Sequence, residues 1–159
     1  SKKIGYQTGT GLMVGSPGQT VDHLVEDAFI EQFRPEMIGI GPFIPHHDTP
    51  FASYPAGSVE MTLRLLSIFR LMHPAALIPA TTALATLVAD GRERGIQAGA
   101  NVVAQSFAYG ATGENSLYDN KASFGAEAAE GLRQLAERLN AIGYKISNSR
   151  GDYEAARNE

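Results

Sequence analysis

Four short apolar segments recur along the chain, and each is followed by a stretch with helical periodicity. The segments have the length and composition of buried strands and are bounded by turn residues. They cover residues Gly9–Val14, 37–40, 78–83 and 101–105. Strands that alternate with helices predict an α/β protein with a parallel sheet and right-handed crossovers.

Each predicted helix begins after a capping residue or a turn and ends at glycine or proline. The predicted helices cover residues 21–33, Val59–Met72, 91–98 and 125–142. Thr20 and Ser58 are good N-caps for the first two helices. Gly99 and Gly143 suit the ends of the last two, where a left-handed residue is common.

Four βα units are half of the eight that close a TIM-type barrel. The chain therefore folds either as half of a (β/α)8 barrel or as an open, flavodoxin-like sheet, and the sequence leaves both alternatives open. A half-barrel exposes strand edges and an apolar inner face, so it demands a homodimer or a complementary half-barrel as partner. In both folds, ligands bind at the C-terminal ends of the strands. Residues 1–153 are predicted to form one domain, followed by a polar tail over 154–159.

Charge and composition exclude several classes of function. The net charge is −4 and no basic stretch stands out, so nucleic-acid binding is not expected. No apolar run approaches the length of a membrane span, and the start of the chain does not resemble a signal peptide, so a cytoplasmic protein is expected. The chain has no cysteine, which removes disulfides, thiolate metal sites and iron–sulfur ligation by this chain.

Two local patterns have both a chemical and a structural interpretation. The turn over residues 15–20 precedes a helix and could bind an anion, but it lacks a P-loop lysine and is more typical of a tight turn. His46, His47 and Asp48 are the densest cluster of metal-ligand residue types. Because adjacent histidines are expected to point in different directions, we predict a packed or solvated loop and no metal. No catalytic residues are predicted.

The strand ends carry sequences that resemble a known family. Residues 5–20 read GYQTGTGLMVGSPGQT and residues 37–50 read MIGIGPFIPHHDTP, while 79–83 read PATTA and 99–103 read GANVV. These segments resemble the fifth to eighth strands of the radical S-adenosylmethionine (SAM) barrel of the FeFe-hydrogenase maturases, the HydE family of the biotin synthase-like superfamily. The resemblance extends over most of the chain, about residues 4–153.

The resemblance implies a barrel in which SAM and a 4Fe–4S cluster, held by three cysteines of the first half, start radical chemistry. Carried over to this chain, it implies one set of residues beside the cofactor and one set lining the substrate cavity. The cofactor set is Gly11, Met13, Gly15, Ile40 and Pro42, and the substrate set is Thr81, Thr82 and Tyr118. Thr81 and Thr82 are expected to be neighbours on a strand, where β-branched residues are also common for structural reasons.

The chain departs from the family pattern in three respects. It lacks the cluster-binding cysteines, it lacks the cysteines often found near the final helix, and residues 104–116 read AQSFAYGATGENS where the family has a Met-Pro-Asn segment. We interpret these departures as an engineered fragment or chimera, with a decayed natural paralogue as the other origin. Three functions stay open: a non-catalytic half-barrel with residual SAM or anion binding, a structural scaffold without ligand, and part of a split enzyme completed by a cluster-bearing half.

Overall fold

A computed structural model describes residues 2–26, 33–103, 128–149 and 151–153, and strands alternate with helices along them. A 3-10 helix (Lys2–Ile4) precedes the first strand. The remaining elements are β1 (Gly9–Val14), α1 (Val21–Glu26), β2 (Met37–Pro42), α2 (Val59–Met72), β3 (Pro79–Ala80), α3 (Thr82–Leu87), α4 (Gly91–Gln97), β4 (Val102–Val103) and α5 (Ala128–Ala141). None of the helices in these ranges is long and apolar enough to cross a membrane.

The strands are parallel and are arranged as two pairs. β1 pairs with β2 over six residues, starting with Gly9 opposite Met37, and β3 pairs with β4 over two residues. A single parallel bridge between Met37 and Leu77 joins the pairs, and the Ile38 amide donates to the Leu77 carbonyl at 2.9 Å. The α/β class with parallel strands is therefore confirmed. Because β3 and β4 have only two residues each, four complete βα units are not evident.

The predicted bounds agree best where local signals are strong. β1 and α2 have the predicted ends, and the Ser58 hydroxyl accepts a hydrogen bond from the Met61 amide at 3.2 Å, as an N-cap does. β2 extends two residues beyond its predicted end, to Pro42, and Gly99 has the expected positive φ of 120° after α4. The predictions for residues 27–32, 104–127 and 154–159, which include the loop over 104–116 and the polar tail, lie outside the described residues.

The third predicted strand is shorter than expected, and the prediction that Thr81 and Thr82 are neighbours on it is wrong. Thr81 is the N-cap of α3, with φ −75° and ψ 156°, and Thr82 is the first residue of that helix. The Thr86 hydroxyl donates to the Thr82 carbonyl at 3.0 Å within the helix. The helix forms here because alanine and leucine have high helix propensity, and the turn buries Leu84 completely.

The core lies on one face of the sheet, between the strands and α2. Val14, Ile38 and Ile40 form one buried cluster with Leu66 and Phe69 of α2. Because side chains alternate along a strand, the intervening residues point away from this core. They are Gly9, Gly11 and Met13 of β1 and Met37, Gly39 and Gly41 of β2, and we call this surface the open face.

The carboxylate of Glu36, just before β2, links the starts of β1 and β2. Glu36 accepts hydrogen bonds from the amide and the hydroxyl of Thr8 at 2.6 and 2.8 Å, and its other oxygen lies 3.2 Å from Lys2 Nζ. The Glu36 amide donates back to the Thr8 carbonyl at 2.9 Å. These contacts, above all the Thr8 amide and then its hydroxyl, lower the pKa of Glu36 from 4.5 to about 2.

Glu36→Gln is expected to remove an acid-sensitive part of the stability. The folded state depresses the pKa of Glu36, so this contribution is complete above about pH 4.5 and is lost as the pH falls toward 2. We expect a loss of about 1–2 kcal/mol in the free energy of unfolding at pH 7. Urea unfolding followed by circular dichroism at several pH values measures this loss.

The difference between wild type and Glu36→Gln should shrink between pH 4.5 and 2. Glu60→Gln is the matched control, because Glu60 pairs with Arg94 at the surface and its side chain is 68% exposed. A difference that stays constant down to pH 2 would contradict the role assigned to Glu36.

Candidate functional site

The C-terminal ends of β1, β2 and β3 meet at one edge of the strand arrangement. Val14 lies opposite Pro42 in the parallel register. Thr81, directly after β3, lies over Gly41, where an added Cβ would be only 3.0 Å from the Thr81 hydroxyl. Ligands of α/β proteins bind at this end of the strands, so this edge is the candidate site.

The side chains predicted beside the cofactor divide between the two faces of the sheet. Gly11 and Met13 belong to the open face, and Met13 is 53% exposed. Ile40 is fully buried in the core, backbone included, and Pro42 is buried as well, so neither residue is accessible to a ligand on the open face. The structure therefore places these four residues on two neighbouring strands, but of the four only Gly11 and Met13 are exposed.

Sequence reasoning missed Gly39 and Gly41, which are the open-face positions of β2. They lie opposite Gly11 and Met13 in the register. The signal was present in the segment MIGIG, where isoleucine and glycine alternate with the period of a strand. That alternation places the isoleucines in the core and leaves Met37 as the one side chain of this segment on the opposite face.

Close packing accounts for two of the predicted glycines without any ligand. A Cβ at Gly11 would lie 2.4 Å from the Gly39 carbonyl oxygen, so the two strands require glycine there. Gly15 has a φ of 82°, and a Cβ on it would lie 2.6 Å from Gly57 Cα. Glycine is the residue that tolerates both a positive φ and such an approach.

The turn after β1 uses its polar groups internally. The Gly15 amide donates to the Gln19 side-chain oxygen at 2.6 Å, and the Gln19 side-chain nitrogen donates to the Met13 carbonyl at 2.8 Å. Thr20 follows as the N-cap of α1, since its hydroxyl accepts from the His23 amide at 3.4 Å. These bonds favour the tight-turn interpretation over an anion site.

The predicted substrate residues have three different placements. The Thr81 hydroxyl is buried and has no hydrogen-bond partner among the described residues, which is unusual for a buried polar atom. Thr82 lies in the first turn of α3, and Tyr118 lies outside the described residues. Thr81 is therefore the polar group of the candidate site with unused bonding capacity.

His46, His47 and Asp48 lie in the loop that follows β2. The expectation that adjacent histidines point apart is wrong, because the two rings stack with centroids 4.4 Å apart and planes 24° from parallel. Within the described ranges, this is the one group of three ligand-type residues whose ligand atoms lie within 4.8 Å of one another.

A cavity of about 720 Å³ lies elsewhere, between β4, α5 and the segment that follows α5. Its walls are largely apolar and include Val102, Leu135, Leu139 and Tyr144. None of the predicted site residues in the described ranges lines it, so it is separate from the strand-end site.

Comparisons with known proteins relate the chain to two groups of enzymes, although no family model matches it. The HydE subunit of the FeFe hydrogenase maturase of Thermotoga maritima is 50% identical over 103 residues, which are 64% of this chain and 30% of that protein. The 3-methylornithine synthase of Methanosarcina barkeri is 25% identical over 158 residues, 98% of this chain and 43% of that protein.

The crystal structure of methylornithine synthase (PylB) superposes with a TM-score of 0.65 and 25% identity, over 92% of this chain and 42% of that one. The chain thus spans less than half the length of the relatives it matches.

Gly11→Ala is expected to destabilise the strand pair, because the new methyl group collides with the Gly39 backbone. Overpacking of this kind costs about 1–3 kcal/mol. Gly39→Ala is the matched control, since a Cβ there meets only the Thr10 carbonyl oxygen at 3.9 Å, an ordinary contact. Thermal unfolding of the two variants measures the difference, and equal melting temperatures would contradict the close approach of β1 and β2.

Proposed function

The chain is homologous to part of the radical SAM enzymes HydE and PylB, and from that premise we propose that it forms one wall of a radical SAM barrel. The observation that carries the proposal is the open face, which is lined by glycine while the opposite face of the same strands packs against α2. A closed barrel has helices outside and its site within, at the C-terminal ends of the strands. The open face then corresponds to the inside of the barrel.

On its own, this wall is not a catalyst. The family's 4Fe–4S cluster needs cysteine thiolates, and this chain has none. The cluster does not fit the residues present, and we assign no reaction step to it here. Activity belongs to an assembly in which a second segment supplies the cluster.

The strand ends retain features suited to weak binding of SAM or a related nucleoside. Gly11 and Gly39 have no side chain to cover the backbone, as a flat ring requires, and Met13 adds an exposed apolar side chain beside them. Gly41 lies under Thr81 at the edge of this surface. The Thr81 hydroxyl supplies an unused polar group at the same edge. Thr82 and Tyr118 are the other residues that we propose to line the substrate cavity.

A complementary half-barrel is the partner we propose. β1 pairs with β2 along one edge, and its other edge has no strand beside it among the described residues. An unpaired edge of a parallel sheet invites another strand. A second copy of this chain is the alternative occupant, which gives a homodimer.

A second candidate function, an engineered scaffold without ligand, also has a specific observation in its favour. The packing roles of Gly11 and Gly15 explain both glycines with no ligand present. Such a chimera would keep the fold of the family and lose its chemistry. Titration with SAM separates the two candidates, because the scaffold gives no saturable binding.

Mixing this chain with the cysteine-bearing first half of a HydE relative tests the proposal. We expect a one-to-one complex in light scattering, and formation of 5′-deoxyadenosine from SAM after anaerobic cluster assembly and reduction. A first half with its cluster cysteines replaced by alanine is the control. Failure to form the complex, or no product above that control, would leave the scaffold as the better account.

Thr81→Val is expected to stabilise the isolated chain or leave it unchanged, because it replaces a buried hydroxyl that has no partner among the described residues. The unmet desolvation penalty of such a group is about 1–3 kcal/mol. Thr86→Val is the matched control and should be destabilising, because the Thr86 hydroxyl donates to the Thr82 carbonyl. In the assembled barrel, Thr81→Val should weaken ligand binding. If Thr81→Val destabilises the chain as much as Thr86→Val does, the Thr81 hydroxyl has a bonding partner in the isolated chain and is not available to a ligand.

A further inference from the structure

The loop between β2 and α2 is closed on itself and packed by its own side chains. The Phe43 amide donates to the Val14 carbonyl at 2.8 Å, and the Gly57 amide donates to the Phe43 carbonyl at 2.8 Å, so both ends of the loop meet at one point. Inside it, the Phe51 ring packs edge-on between Phe43 and Tyr54, at 6.4 and 5.7 Å. Loops with joined ends and an internal core are frequently functional.

A turn within this loop fixes the positions of three ligand-type side chains. The Thr49 amide and hydroxyl donate to the His46 carbonyl at 3.1 and 2.8 Å, and the Asp48 amide donates to His46 Nδ1 at 3.2 Å. The stacking of the His46 and His47 rings places both imidazoles on one side of the turn. The loop thus has the particular shape that adjacent histidines need in order to share a ligand.

The spacing of the ligand-type atoms is compatible with one shared ion. His47 Nε2 lies 3.2 Å from Asp48 Oδ2. Two ligands at 2.0–2.2 Å from a tetrahedral zinc ion are about 3.3–3.6 Å apart. The ligand atoms of His46, His47 and Asp48 all lie within 4.8 Å of one another, so the three side chains are close enough to reach one ion.

We propose that His46, His47 and Asp48 form a binding site for a borderline divalent transition-metal ion, with Zn²⁺ as its representative. Two imidazoles and one carboxylate suit zinc, copper or nickel better than magnesium or calcium, which prefer oxygen ligands. The His47 and Asp48 side chains are 64% and 76% exposed, so an ion reaches them from solvent. Three protein ligands leave coordination positions for water.

The site is separate from the proposed barrel function, since all three ligands come from one loop of the isolated chain. A bound ion replaces the attraction between His47 and Asp48 with bonds to a common centre and holds the turn over residues 46–49. The presence or absence of metal binding therefore does not depend on whether β1 takes a partner strand.

Titration of the tag-free chain with Zn²⁺ alone, by calorimetry and by competition with a coloured chelator, tests the site. We expect one ion per chain, and a rise in Kd of at least about tenfold in His47→Ala and in Asp48→Asn. Asp48→Asn keeps the backbone amide that bonds to His46, so the turn is preserved, and circular dichroism verifies the fold of each variant.

His23→Ala and Asp90→Asn are the matched controls, because they remove an exposed histidine and an exposed aspartate from other parts of the chain. Both should bind Zn²⁺ as the wild type does. The visible absorption of Co²⁺ in place of Zn²⁺ reports directly on histidine and carboxylate ligation. No saturable binding, or binding that His47→Ala and Asp48→Asn leave unchanged, would overturn the proposal.

Discussion

The approach of β1 to β2 at Gly11 and Gly39 is the constraint on which the rest of the structure depends. No residue with a Cβ fits at Gly11, because it would lie 2.4 Å from the Gly39 carbonyl oxygen. Glycine at four of the six open-face positions also leaves that face with only two side chains, those of Met13 and Met37. The apolar residues that can be buried, such as Ile38 and Ile40, all lie on the other face, and α2 therefore packs there. The close contact of two strands thus also creates the open face and the candidate site.

The sequence predicted the elements with strong local signals and failed where two signals competed. α2 has its predicted bounds because Ser58 caps it and Pro74 follows it. At Thr81 and Thr82, β-branched residues suggested a strand, but the alanines and Leu84 that follow form a helix against the core. The site residues taken from the family included Ile40 and Pro42, whose side chains are buried. Strand alternation identifies Gly39 and Gly41 as the outward positions, and the family resemblance alone did not separate the two faces.

Homology and chemistry together favour the proposal that the chain is one wall of a barrel. The chain matches less than half of the HydE and PylB proteins, and it has no thiolate for the cluster that their chemistry uses. It keeps the parallel strands, the accessible glycine backbone and an unused hydroxyl at the strand ends. We propose that these features form one wall of a barrel, and that the partner that pairs along β1 supplies the cluster-binding cysteines.

Hydrogen exchange at the backbone amides of β1 is the most direct test of this account. In the isolated chain, the β1 amides that do not donate to β2 should exchange quickly, because no strand lies on that side among the described residues. These amides should become protected when the complementary half-barrel is added, while α2 should change little. A complex that forms and leaves β1 unprotected would contradict the proposed pairing along β1, because the partner would then occupy some other surface.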